Sequence, residues 1–194
     1  MKNKKIVCPP TTEQLEAELK RVRYKSRYRS VLRSTIYSLI TVAAITVLIT
    51  TLWFPVLRVY GNSMTPTLQN GEIIFTVKVS EFEPGDIISF YYNNKILVKR
   101  VIAGPGDWVD IREDGTVFVN SHELAEPYLE GKAFGDCNID LPFQVPDARL
   151  FVMGDQRSIS VDSRNTAVGC IAEEQIVGKM VFRAWPLDSI GTIN

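Results

Sequence analysis

Histidine is almost missing from these 194 residues, with His122 as the only one. A hydrolase built on a Ser-His-Asp triad would have to use it. It sits in Val119-Asn120-Ser121-His122-Glu123, which reads as a solvated turn. Cysteine is scarce as well. Cys8, Cys137 and Cys170 lie far apart and, with one histidine, make no cluster of zinc-site spacing, so no metal is expected. No phosphate-binding glycine motif of Walker or Rossmann type is present, and no cofactor is expected. Internal repeats and low-complexity tracts are also missing. Net charge is zero, with 22 basic and 22 acidic residues.

That balance hides an asymmetry. Residues 1–33 carry ten Lys or Arg against Glu13, Glu16 and Glu18, and the remainder is acidic to the same extent. A basic arm on an acidic body suggests nucleic acid, but the next segment points to a lipid bilayer instead. From Ser34 to Leu57 there are 24 residues without a charge. As a helix they span roughly 36 Å, enough for a hydrocarbon core of about 30 Å. The segment is longer than the roughly 7–15-residue core of a cleaved secretory signal, and Trp53, Phe54 and Pro55 occupy its exit. It is apolar on every face and follows ten basic residues, which together argue against a buried core helix. The reading is a retained anchor over 34–57. The basic bias keeps 1–33, partly helical, in the cytoplasm and places 58–194 outside the cell membrane. Thr11, three before Gln14, signals a helix start. Cys137 and Cys170 then lie in an oxidising compartment, with two free, partly buried thiols as the default.

Beyond the anchor the period changes. Glu72–Val79, Asp86–Tyr92, Lys95–Ile102, Trp108–Arg112, Thr116–Asn120, Leu150–Met153 and Val177–Phe182 are short runs rich in β-branched and aromatic residues. Turn clusters separate them, and Asp114-Gly115 signals a hairpin. Residues 125–146 read as an irregular loop. The expected fold is mainly β, an antiparallel-sheet or barrel-like catalytic domain anchored by one N-terminal transmembrane helix.

Three stretches can carry chemistry. In Tyr60-Gly61-Asn62-Ser63-Met64-Thr65-Pro66-Thr67-Leu68, Gly61 and Pro66 break regular pairing and leave the Ser63 hydroxyl on an irregular connection. An ordinary turn after a membrane span has the same composition. Lys99 shares a strand face with Leu97 and Val101, where desolvation would lower its pKa and make it a general base. An edge-strand lysine that deters aggregation would look the same. Gly154-Asp155-Gln156-Arg157 to Asp162-Ser163-Arg164 packs carboxylates, guanidiniums and hydroxyls together, either as a solvated loop or as a network that orients a site.

Together these three blocks, in this order and after such an anchor, resemble bacterial type I signal peptidases across nearly everything after Ser34. The resemblance implies an endopeptidase that removes signal peptides from translocated preproteins after small-x-small sites. It implies Ser63 as nucleophile, Lys99 as general base, and Ser160 hydrogen-bonded to that lysine. Asp162 and Arg164 match the paired charges that brace the site, with Asp155 in support. Met64, Leu97 and Val98 would line shallow pockets for small side chains. The Ser63 N–H would donate to the oxyanion, whereas Gly61 stands where some relatives carry a second, hydroxyl donor. Gln156 replaces a common asparagine. The implied partners are preprotein signal peptides, the lipid bilayer and the secretion translocon, and no nucleic acid. Two other readings remain. A self-cleaving repressor-type peptidase shares the dyad but needs a DNA-binding module where this chain has a span. A catalytically specialised or silent homologue would serve envelope or pilus assembly.

Overall fold

The computed structural model describes residues 11–193, which fall into two compact units, Met1–Ile49 and Thr50–Asn194. Helix α1 (Thr12–Trp53) runs unbroken, with no glycine or proline inside it. At its start the Thr11 N–H donates to Gln14 Oε1 at 3.2 Å, one half of the expected reciprocal cap. Within the apolar stretch the hydroxyls of Thr35, Thr41 and Thr46 donate to carbonyls four residues back, at 3.0, 2.8 and 2.9 Å. Polar groups are thus satisfied inside the helix itself, as a hydrocarbon environment requires. Among the described residues α1 is the one helix long and apolar enough to cross a membrane.

The basic and apolar segments, distinct in sequence, are one helix here, and it ends four residues before Leu57. Pro55 has no N–H to donate and disfavours helical geometry at Phe54, so the chain leaves the helix there. Val56–Arg58 instead form strand β1. The Pro55 carbonyl accepts from both the N–H and the hydroxyl of Thr76, each at 2.9 Å, which ties the helix exit to the next strand.

The second unit is antiparallel β throughout. After β1 come β2 (Ile73–Val77), β3 (Ile87–Tyr92), β4 (Lys95–Ala103), β5 (Trp108–Ile111), β6 (Val117–Val119), β7 (His122–Glu123) and β8 (Phe143–Gln144). They are followed by β9 (Arg149–Met153), β10 (Ile171–Ala172), β11 (Ile176–Trp185) and β12 (Gly191–Thr192). The larger sheet runs β1-β2-β11-β3-β4-β9-β10, with β12 paired to β11, and the smaller runs β7-β6-β5-β8. The antiparallel, mainly β fold expected from the alternating runs is therefore present. The five strands not expected, β1, β7, β8, β10 and β12, have two or three residues each, too few for a period to register.

Turn chemistry fixes the registers. Asn93 and Asn94, with φ of 44° and 62°, close the two-residue hairpin that pairs Tyr92 with Lys95. Between β5 and β6, Asp114 Oδ1 accepts the Thr116 N–H at 2.8 Å and Gly115 takes φ of 86°. Three apolar clusters hold the sheets. One packs Ile102, Val109, Val117, Phe151, Met153 and Cys170 under the smaller sheet. A second gathers Val59, Met64, Leu68, Ile74, Ile87 and Met180. The third joins Ile88, Phe90, Val101, Leu150, Val152 and Ile171. Both thiols of the β unit are free, and burial pushes Cys170 up to about 11.

Gly115 serves two demands at once, since a Cβ there would lie 2.3 Å from the Ala133 backbone nitrogen as well as straining the left-handed turn. Gly115→Ala should therefore cost about 1–3 kcal/mol. Thermal unfolding of the full chain should show a lowered midpoint; an unchanged one would refute the packing argument.

Candidate active site

The Ser63 loop is fixed from beneath by apolar burial. Met64 and Leu68, one and five residues after the serine, are 2% and 0% exposed in the second core cluster. Backbone bonds tighten it further, Leu68 N–H to the Met64 carbonyl at 2.8 Å and Thr65 N–H to the Asn62 carbonyl at 3.2 Å. Ser63 itself is left half-buried.

Lys99 reaches this loop from the middle of β4. Its Nζ donates to Ser63 Oγ at 2.8 Å, and the side chain is buried at 3% exposure. Burial lowers the amine pKa from 10.5 to about 8. Asp162 and Asp155 pull it upward and Arg164 pushes it down, but the loss of solvent dominates. The register explains the burial. Lys99 pairs with Ile88 of β3, and Val101, two residues on, lies in the third core cluster. The face expected to be apolar is indeed so, yet the opposite face is buried too, because Ile102 enters the first cluster past a register shift.

The third block closes over both. The Gln156 N–H donates to the Ser63 carbonyl at 3.0 Å. Gly154 makes that approach possible, since a Cβ on it would stand 2.6 Å from the Ser63 carbonyl oxygen and 2.2 Å from Ser160 Oγ. Asp162 and Arg164 form a two-pronged buried pair, with Nε to Oδ1 at 2.8 Å and Nη2 to Oδ2 at 2.9 Å. Asp162 Oδ2 also accepts the Gly154 N–H at 2.9 Å. Arg164 further donates to the Phe134 carbonyl at 2.7 Å and the Arg157 carbonyl at 2.9 Å. The charged groups of this stretch are thus a buried, paired network and not a solvated loop. The hydrogen bond expected between Ser160 and Lys99 is missing. Among the described residues Ser160 Oγ is buried without a partner, and it lies close against Gly154.

Asp155 accepts from Arg100 Nε at 2.9 Å and Nη2 at 2.8 Å, and also from the Thr67 hydroxyl. Arg100, Thr67, Glu126 and Tyr128 are the participants that sequence reasoning missed, while Arg157 was named only as one guanidinium of the third block. Arg157 pairs with Glu126, both side chains 1% exposed. The Arg100 guanidinium stacks over the Tyr128 ring at 3.9 Å, and burial raises the Tyr128 phenol well above its ordinary range. Arg100 follows the singled-out lysine directly, so an arginine predicted to face the core was the available signal. Glu126 and Tyr128 lie in a segment with no period to mark them.

Met64, Leu97 and Val98 line one groove of about 550 Å³ with Ser63, Val56 and Leu57. Both of its strand walls have a free edge. Among the described residues β1 pairs with β2 alone, and Lys95–Val98 pair with β3 alone because β9 joins β4 only from Arg100. His122 lies exposed on β7 in the smaller sheet, as a strand residue and not a turn. No group of His, Cys, Asp and Glu suited to a metal occurs among the described residues.

The sequence profile of the signal peptidase family, peptidase S26, matches residues 32–185. Signal peptidase I of Bacillus amyloliquefaciens is 39% identical over 162 residues, covering 77% of this chain and 83% of that protein. Signal peptidase I S of Bacillus subtilis is 38% identical over 146 residues, covering 69% and 78%. A crystal structure of a signal peptidase I from Enterococcus faecalis superposes with a TM-score of 0.45 at 27% identity, over 53% of this chain and 98% of that one. A match that spans all three blocks and most of the length on both sides places the chain in the signal peptidase family, peptidase S26.

Proposed function

We propose that Ser63 is the nucleophile and Lys99 its general base in the removal of signal peptides from translocated preproteins. The carrying observation is the 2.8 Å separation between Ser63 Oγ and a buried amine whose pKa falls to about 8. A useful fraction of Lys99 is then neutral near physiological pH, and its lone pair faces the hydroxyl. As Oγ attacks the scissile carbonyl carbon, Nζ takes the hydroxyl proton. When the tetrahedral adduct collapses, the C–N bond breaks and the ammonium returns that proton to the departing amine. The same amine then deprotonates a water that attacks the ester, and Ser63 recovers its proton as the signal peptide leaves with a carboxylate.

Three features support the remaining roles. Among the described residues nothing accepts from the Ser63 N–H, so it is available to a developing oxyanion, whereas the Gly61 N–H is already engaged by Asn70 Oδ1 at 3.1 Å. Asp162, Arg164 and Asp155 brace the loop, and Ser160 supplies a spare hydroxyl in the same enclosure. The groove bounded by two free strand edges suits an extended peptide, and shallow walls of Met64, Leu97 and Val98 suit small side chains at small-x-small sites. The anchor is α1, with 1–33 cytoplasmic and 58–194 outside the cell membrane, beside the translocon that delivers preproteins. Exposed Phe54, Val56, Phe182, Trp185 and Leu187 give the β unit apolar surface for lipid contact.

Ser63→Ala and Lys99→Ala should each lower preprotein cleavage by at least about 10³-fold, as loss of either half of a dyad does. Full cleavage by either variant in a purified assay would sink the assignment. The rate should rise with pH through about 8, because the protonated amine is inactive. A profile that rises only near 10.4 would mean an unburied lysine.

Burial also has a stability consequence of definite sign. Because the folded pKa lies below the unfolded one, the protonated amine disfavours the folded state, fully below about pH 8 and not at all above 10.5. Lys99→Met should thus be inactive yet more stable near neutrality, by up to about 3 kcal/mol. Denaturant unfolding should show that gain shrinking between pH 8 and 10.5. A less stable Met variant would count against the desolvation argument.

A further inference from the structure

The Ser63 loop separates two grooves. On one side lies the apolar groove already assigned to the signal peptide. On the other lies a second depression of about 530 Å³, lined by Asn62, Thr65, Gln69 and Asn70 of the loop, with Gln156, Glu130 and Ile159. Asn62 and Thr65 flank the serine at one and two positions. Four of these seven side chains are carboxamides, Ile159 is the one apolar group, and Glu130 is the one charged group on the wall.

An extended substrate with its carbonyl at Ser63 and its signal end in the apolar groove has to continue across the loop. The depression it meets there is the carboxamide-rich one that carries Glu130. We propose that this groove holds the residues that follow the cut, and that Glu130 sets a charge preference there, favouring basic and disfavouring acidic side chains. The proposal rests on the Ser63/Lys99 reading.

Two observations make Glu130 more than a surface acid. Its position is set by the catalytic scaffold itself. Four residues earlier Glu126 is locked to buried Arg157, and two residues earlier Tyr128 stacks on Arg100 and donates its hydroxyl to Glu126 at 3.1 Å. Its charge is also unspent. Glu123 and Glu126, the preceding acids of the segment, pair with Lys132 and Arg157, whereas no cation pairs with Glu130 among the described residues. An unpaired carboxylate at the mouth of a carboxamide-lined groove offers a partner to an incoming cation and repels an anion. Because the site is exposed, the preference should be about two- to five-fold and should shrink as salt is raised.

The test compares two preproteins that differ only in carrying Lys or Glu at the second and third residues after the cut. With full-length enzyme in detergent, kcat/KM should be higher for the Lys substrate. Glu130→Gln should bring the ratio to about one, and Glu130→Lys should invert it. A ratio that ignores both substitutions overturns the proposal, as does an equal loss on both substrates, which would make Glu130 merely structural. Ser63→Ala run alongside keeps the failures apart. Surviving cleavage there would overturn the dyad, whereas a dead Ser63→Ala beside an unresponsive ratio overturns the groove assignment alone.

Discussion

An amine stripped of its water is the constraint on which the rest of this structure depends. Lys99 loses nearly all solvent in the middle of β4, and the loss outweighs every charge around it. A carboxylate alone at the position of Asp162 would pull the amine back towards its protonated form. Here that carboxylate is already held by both prongs of Arg164, whose own charge pushes the amine the other way. Pairing the acid with an arginine therefore lets the protein use a carboxylate to fix backbone without cancelling the lowered pKa of the lysine. The pair can be read as an electrostatic neutraliser as much as a brace.

The same logic extends to the other two buried arginines. Each of Arg100, Arg157 and Arg164 is paired with its own carboxylate, and each also donates to a backbone carbonyl. Buried ion pairs add little net stability, because desolvation offsets most of the attraction, but losing one partner strands a charge at a cost of about 3–5 kcal/mol. Such pairs are therefore poor glue and good jigs. They join elements far apart in sequence: Thr67 and Asp155 through Arg100, the 126–134 segment and the third block through Arg157 and Arg164. The weight of the fold rests on the apolar clusters, while the arginines hold the serine and lysine in register.

Much of this was legible in the sequence because it depended on local signals. Alternating runs gave the longer strands, Asp114-Gly115 the hairpin, and a lysine among aliphatic residues the buried amine. What was hidden depended on contacts between distant segments. No local pattern says that Glu126 will meet Arg157, or that Arg100 will face a tyrosine 28 positions on. Short strands such as β8 and β10 exist because a partner strand passes by, not because two residues prefer extended geometry. The Ser160 hydroxyl shows the same limit: a motif position gives proximity to the site, not the hydrogen bond its oxygen makes. The uncharged run extends to Leu57 because hydropathy continues through Val56 and Leu57 after Pro55, read as the exit, has ended the helix.

The two free strand edges pose a problem that the proposed function resolves. Unpaired edges of β1 and of Lys95–Val98 line one apolar groove, an arrangement that invites pairing with any extended chain. A protein with no use for such edges would cover or bulge them. Here one charged residue marks each wall, Arg58 and Lys95, while the groove floor between them stays apolar. Charges at the rim discourage a second copy of the same sheet from docking, since like-charged rims would meet. They do not discourage a single apolar strand such as the end of a signal peptide. On this reading the groove is selective through what its rim refuses as much as through what its floor accepts, and main-chain pairing, indifferent to side chains, suits extended peptides of varied sequence.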